Sequence, residues 1–168
     1  MPVQQQIETV EPGEIRISSS PETIFAIPNL GTGVALAIYD NTLPVGAIAH
    51  IVLPESTLTN THADELPGKY ANLAIPALLE KFTEAGGQKR NSVVRIVGGA
   101  QLFNFGGGGG NILNIGARNA TAIRAGMSKH GFVIQKADTG GNKGKSLQFI
   151  LSTGQLIVCP IGGHEYPL

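Results

Sequence analysis

Two apolar stretches of strand length, joined by a short polar turn, constrain the folding of this chain more than any other feature. They span residues 34–39 and 45–53, and the turn between them contains Asp40, Asn41 and Pro44. These residue types favour tight turns. Apolar runs bounded by turn residues predict neighbouring strands, so the two stretches are predicted to form a β-hairpin.

The hairpin brings one particular pair of positions together. If Ile38 faces Val45, then Gly33 lies opposite His50 on the same face. Facing Cβ atoms are about 5 Å apart, so a side chain at position 33 would reach the imidazole. A shift of one residue in the register would move the two positions to opposite faces.

The rest of the chain predicts further strands and two helices. The helices are predicted over residues 69–85, with a kink at Pro76, and over residues 117–130. The five glycines at 106–110 predict a flexible loop. Strands are also predicted over residues 14–18, 23–27, 92–97, 132–136, 147–151 and 156–159. This pattern is typical of an α/β or α+β sandwich with a mixed sheet.

The composition predicts one globular domain. Of the 168 residues 42% are hydrophobic and 14% charged, and 12 basic residues balance 12 acidic ones. A chain of zero net charge has no electrostatic reason to bind nucleic acid, and no apolar run is long enough for membrane insertion. Residues 1–12 are mostly polar and are expected to form a flexible N-terminal arm before a single domain over 13–168.

Two features favour a cytoplasmic location. The N-terminus lacks the charged and apolar regions of a signal peptide, and the single cysteine, Cys159, has no partner for an internal disulfide. The triplet Asn119-Ala120-Thr121 matches a glycosylation acceptor, which we interpret as chance in that compartment.

Five short motifs resemble, in the same order, those of the CheD family of chemotaxis proteins. The first lies within residues 29–54 and includes Leu30-Gly31-Thr32-Gly33. The others are PGKYA at 67–71, GGAQLF at 98–103, NIGARN at 114–119 and DTGGN at 138–142. Each is weak alone, but five with similar separations make a strong match. The resemblance implies a CheD-like three-layer sandwich with a mixed, mainly antiparallel sheet and two principal helices.

The resemblance also implies a particular chemistry and a particular defect. CheD proteins deamidate glutamine side chains of chemoreceptors with a cysteine–histidine pair. The family's histidine aligns with His50, but its nucleophilic cysteine aligns with Gly33 and its supporting threonine with Ile27. Because glycine has no thiol and isoleucine no hydroxyl, we expect no thiol-dependent deamidase activity.

Two interpretations of Gly33 follow from this alignment. The chain is a natural pseudo-deamidase that keeps the binding surface, or a native cysteine has been replaced by glycine to trap a substrate or prevent oxidation. The second loss, at Ile27, favours the natural interpretation, because a designed substitution would rarely alter both positions.

The partners implied by the resemblance are chemoreceptor helices and a CheC-type phosphatase, with no cofactor. Phe103 matches the phenylalanine of the family's GGA-x-MF motif and is a candidate partner contact, with core packing as an equal interpretation. His62, His130 and His164 do not have the spacing of metal ligands, so no metal site is expected.

An alternative is an active glutamine deamidase that uses another nucleophile. Thr32 has a hydroxyl next to position 33, but strand alternation points it away from the face of His50. Cys159 is the only thiol, and free cysteines are usually packed in the core.

Overall fold

The computed structural model describes residues 4–56, 66–102 and 114–168. Within these ranges, two α-helices and ten strands follow each other in sequence. The helices are α1 (Ala71–Glu84) and α2 (Ile115–Lys129). The strands are β1 (Gln6–Thr9), β2 (Ile15–Ser18), β3 (Thr23–Leu30), β4 (Val34–Asp40), β5 (Gly46–Ile51), β6 (Ser92–Gly98), β7 (Lys136–Thr139), β8 (Lys145–Ile150), β9 (Gln155–Pro160) and β10 (Tyr166–Pro167).

The strands form two sheets of five. The first sheet has the order β1-β3-β8-β9-β10 and the second β2-β5-β4-β6-β7. Within each sheet one pair is parallel, β1 with β3 and β6 with β7, and the other pairs are antiparallel. The architecture is therefore α+β, with two mixed and mainly antiparallel sheets where the sequence predicted one.

The second sheet is the middle of three layers because both of its faces are apolar. Leu36 and Ile38 of β4 join α1 and α2 in one buried cluster. Ala35 and Ala37, on the opposite face, join the first sheet in another. Alternate residues of a strand point to opposite faces, so this single strand contributes to both cores. The expected three-layer sandwich is confirmed.

The N-terminal segment differs from the expected flexible arm. Gln6–Thr9 pairs in parallel with β3, and the next residue, Val10, is only 1% exposed. The sequence did not predict this strand because its side chains are mostly polar. Its stability comes from backbone pairing with β3 rather than from an apolar pattern.

The register of the central hairpin differs by two residues from the expected one. Ile38 faces Ala47 rather than Val45, and His50 faces Ala35. The carboxylate of Asp40 accepts hydrogen bonds from the backbone of Thr42 and Leu43, which lengthens the turn. A shift of two preserves the faces, so position 33 remains a diagonal neighbour of His50 on the same side.

Other boundaries show where local signals fail. The predicted strand 132–136 is wrong for its first four residues, since β7 begins only at Lys136. β3 continues through Pro28 with a register shift between Ile27 and Leu30, and α1 includes Pro76 without interruption. Of the helices in the described ranges, none combines the length and apolar character needed to cross a bilayer.

Candidate functional site

The candidate site lies at the open end of the β4–β5 hairpin, where Gly33 enters β4. A Cβ atom added to Gly33 would lie 3.1 Å from Nε2 of His50 and 2.9 Å from the carbonyl oxygen of Ile51. The φ angle of Gly33 is outside the left-handed region, so the backbone there suits any residue. Position 33 therefore adjoins the imidazole as the sequence predicted, but the ring itself fills the space beside it.

His50 presents one nitrogen to position 33 and buries the other. The residue is 4% exposed, and its Nδ1 makes no hydrogen bond of ordinary geometry with any described residue. Burial lowers the pKa of His50, while the backbone of Val10 and the charge of Glu11 act in the opposite direction. The imidazole is therefore neutral at physiological pH and able to accept a proton.

Ile27, which the sequence analysis aligned with the supporting threonine of the family, has an apolar side chain without a hydroxyl. Its side chain is 1% exposed and belongs to the cluster between the two sheets. Ile48, two residues before His50 on the same face of β5, belongs to that cluster as well. Ile27 thus adds apolar surface to the layer that His50 faces, and no hydrogen bond.

The loop before Gly33 is tied to the chain that follows β6. The amide of Gly99 donates to the Gly33 carbonyl at 2.9 Å, and that of Ala100 to the Gly31 carbonyl at 3.0 Å. Gly98 has a φ of 120°, and a Cβ there would clash with the Gly33 carbonyl oxygen. This close approach requires glycine at position 98, because a side chain there would clash with the Gly33 carbonyl.

A residue that the sequence analysis missed as part of the site completes this framework. Asn119 of α2 is fully buried, and its Nδ2 donates to the carbonyls of Thr32 at 3.0 Å and Val52 at 2.9 Å. Its Oδ1 has no partner among the described residues. The residue belongs to the NIGARN motif, so a signal was present, but its contacts lie far away in sequence.

Thr32 enters the site through its backbone. Its carbonyl accepts the hydrogen bond of Asn119, whereas its hydroxyl makes no hydrogen bond with the part of the chain that the structure describes. A threonine nucleophile needs an adjacent base. Among the described residues, no such base is hydrogen-bonded to the Thr32 hydroxyl.

Cys159 lies away from the site. It pairs with Ser146 in the first sheet, and the preceding Val158 is the residue that faces the core between the sheets. Because neighbouring strand residues alternate, Cys159 faces the opposite side, and it is partly exposed rather than packed in a core.

The surface beside position 33 combines an apolar side chain with amides. Leu102 is 44% exposed, and its Cδ1 is the nearest atom to a Cβ added at Gly31. An open cavity of about 770 Å³ is lined by Gln101, Leu102, Gly141 and Asn142. Phe103, the predicted partner contact, lies outside the described residues, as do the glycines at 106–110. Among the described residues no cluster of His, Cys, Asp and Glu could hold a metal ion.

These features define a class of protein: an α+β sandwich that holds a buried histidine against a glycine at the open end of a β-hairpin. Residues 52–159 match the family model described as CheD chemotactic sensory transduction. That match starts after His50, so the site strands lie outside it.

Longer matches to individual proteins cover the site strands as well. A probable chemoreceptor glutamine deamidase CheD of Symbiobacterium thermophilum is 32% identical over 164 residues, which is 98% of each chain. The chemoreceptor glutamine deamidase CheD of Thermotoga maritima is 35% identical over 153 residues, or 91% of each chain. A probable one of Clostridium novyi is 35% identical over 149 residues, 89% of this chain and 90% of that protein. This chain belongs to the CheD family.

Proposed function

We propose that this protein acts in chemotaxis adaptation by binding chemoreceptor helices, a CheC-type phosphatase, or both, without thiol-dependent deamidation. One observation carries the second half of the proposal. A Cβ added at Gly33 would lie 3.1 Å from Nε2 of His50, and this is the position at which the family's reaction needs a sulfur atom.

The chemistry that remains is that of a base without a nucleophile. In a cysteine–histidine deamidase the imidazole takes the thiol proton and the thiolate attacks the amide carbon. The histidine then protonates the leaving ammonia, and water releases the acid. Here His50 keeps the neutral form needed for the first step, because burial lowers its pKa. No covalent intermediate can form at glycine.

The binding half of the proposal is supported by the surface around position 33. Exposed Leu102 lies against the site loop, and the neighbouring cavity is lined by the amide side chains of Gln101 and Asn142. An apolar contact next to amide groups suits a helix that presents both apolar and glutamine or glutamate side chains. Such a helix belongs to a cytoplasmic receptor domain, and we propose that the protein works in the cytoplasm.

A binding experiment tests the first half. Purified protein is titrated with the cytoplasmic fragment of each chemoreceptor of the source organism, and with its CheC-type proteins, by calorimetry. We expect saturable binding to at least one, weakened by Leu102→Asp and unchanged by Val133→Asp, a substitution at an exposed position of the 130–135 connection. Absence of affinity for every one of them would refute the proposal.

Mass spectrometry tests the second half. After incubation with the protein, glutamine-bearing receptor peptides should show no mass gain from conversion of amide to acid. A gain would contradict the proposed inactivity. If Cys159→Ser or Thr32→Val then abolished the gain, that residue would be identified as the alternative nucleophile.

Restoration distinguishes the two interpretations of Gly33. If a native cysteine has been replaced, Gly33→Cys alone should restore some deamidation. If the chain is a natural pseudo-deamidase, we expect Gly33→Cys to be inactive and Gly33→Cys with Ile27→Thr to be more active. The natural gene at codon 33 gives an independent answer.

A further inference from the structure

A single buried amide joins the two backbone segments that form the site. Nδ2 of Asn119 bonds to Thr32 and Val52, which are 87 and 67 residues away in sequence. Thr32 immediately precedes Gly33, and Val52 immediately follows Ile51. The two carbonyls therefore lie next to Gly33 and Ile51, whose close approach forms the site.

This approach is tight enough for a small displacement to matter. A Cβ on Gly33 would lie 2.9 Å from the Ile51 oxygen and 3.1 Å from the His50 ring. At such distances, a few tenths of an ångström decide whether a side chain at position 33 fits and whether it meets the imidazole. Whatever fixes the separation of Thr32 and Val52 also fixes this encounter.

A packing role alone does not account for asparagine at this position. Neighbouring residues on the buried face of α2, Ala120 and Ile123, are apolar and belong to the core between helices and sheet. Asn119 is 0% exposed and leaves Oδ1 unpartnered among the described residues. A buried polar atom without a partner lowers stability, and an apolar side chain would avoid this cost.

We propose that Asn119 is the positioning residue of this site. Its amide holds the 31–33 loop against the end of β5, so that residue 33 and His50 stay adjacent even without a thiol or a supporting hydroxyl. The tie uses backbone carbonyls only, and it is therefore independent of which side chain occupies position 33. The inference does not depend on the binding of any receptor.

The test introduces a reporter thiol at position 33. In Gly33→Cys with Cys159→Ser, the rate of alkylation by iodoacetamide is measured between pH 5 and 9. A thiol held against the imidazole should titrate below the usual value of about 8.5. Adding Asn119→Ala should return the profile towards that value and slow alkylation at pH 7 roughly tenfold.

A matched control comes from the other end of β6. The side chain of Gln135 also makes two hydrogen bonds to backbone, with Val94 N at 2.6 Å and Ser92 O at 3.2 Å. Gln135→Ala should leave the thiol profile unchanged. An ordinary profile before any change at Asn119, or an equal shift with Gln135→Ala, would overturn the proposal.

Hydrogen exchange provides a second readout in the unaltered Gly33 protein. The amides of Gly99 and Ala100 bond to the Gly33 and Gly31 carbonyls and report on the docking of the loop. In Asn119→Ala these two amides should lose their protection from hydrogen exchange, while the amides of β8 and β9 remain protected. Asn119→Ser retains one donor and should give a smaller change, which covers an alanine variant that does not fold. A uniform loss over all strands would show a purely structural role, and no loss at the two amides would show that Asn119 does not hold the loop; either result would overturn the proposal.

Discussion

Both ends of the β4–β5 hairpin are buried, but their polar groups differ in how completely they are hydrogen-bonded. At the closed end Asp40 is 0% exposed and accepts four hydrogen bonds: from Thr42 N and Oγ1, Leu43 N and Gln88 N, at 2.7 to 3.2 Å. At the open end, His50 and Asn119 each retain a buried polar atom without a partner among the described residues.

This difference distinguishes the turn of the hairpin from the candidate site at its open end. Buried polar atoms that are fully bonded hold the turn in one conformation. Buried polar atoms that are left unpaired lower stability, and proteins keep them mainly where a site uses them. Loss of the Asp40 carboxylate should therefore lower stability, whereas loss of the His50 imidazole should not.

The largest effect is expected for Asp40→Ala. Removal of the carboxylate leaves the amides of Leu43 and Gln88 unpaired, which should lower the free energy of unfolding by about 3 kcal/mol. Urea denaturation measures this. Arg16→Ala is the control, because the Arg16 side chain is 39% exposed and its ion pair with Glu14 should be worth less than about 1 kcal/mol. Equal losses in the two variants would remove the contrast.

The same carboxylate should produce an acid-sensitive step. Burial alone would raise the pKa of Asp40, but hydrogen bonds from Thr42, Gln88 and Leu43 lower it overall. The unfolded chain then binds the proton more tightly, so stability is present above about pH 4 and is lost as the pH falls through the folded value. Thermal unfolding of Asp40→Asn should show a shallower loss over that range than the parent protein.

An intermediate effect is expected for Gly33→Ala. The added Cβ would press on the Ile51 carbonyl and the His50 ring, and such overpacking should cost about 1–2 kcal/mol. Gly163→Ala is the control, since a Cβ there would meet Pro160 at an ordinary 3.4 Å. If Gly33→Ala is neutral while the control is not, the site is looser than the structure indicates.

The smallest effect is expected for His50→Leu. Leucine has a similar volume and no unpaired nitrogen, so stability at pH 8 should be unchanged or raised by up to about 1 kcal/mol. The parent protein should lose stability below about pH 6.5, because the lowered pKa of His50 makes the unfolded state bind the proton first. The leucine variant should lose less stability over the same pH range. A decrease of about 2 kcal/mol in its free energy of unfolding at pH 8 would contradict the comparison.

Patterns that are local in sequence predicted most of the fold. The apolar runs gave β4, β5 and β6, and the helices begin and end within two residues of the predicted bounds. β1 could not be found in this way, because Gln6, Glu8 and Thr9 are polar and the strand is specified by its pairing with β3. The predicted register was wrong by two residues, because the Asp40 carboxylate accepts hydrogen bonds from the backbone of Thr42 and Leu43 and the turn is longer than expected.

The outline of the candidate site was predicted from strand alternation, in which every second residue lies on the same face of the sheet. Any even shift of the hairpin keeps position 33 and His50 on one face, so their adjacency survived the wrong register. The NIGARN motif singled out Asn119, but its hydrogen bonds could not be predicted, because they reach backbone carbonyls 87 and 67 residues away. The state of the imidazole likewise depends on burial by several elements.

The N-terminal segment has one more consequence for the imidazole. Val10 is buried behind it, Glu11 contributes its charge, and the chain from Gly13 to Glu14 exchanges backbone hydrogen bonds with His50. These first residues therefore cover the side of the His50 ring that points away from position 33. A shortened protein starting at Gly13 would lose the Val10 backbone and the Glu11 charge, which raise the pKa of His50, so its proton affinity would change although position 33 would be intact.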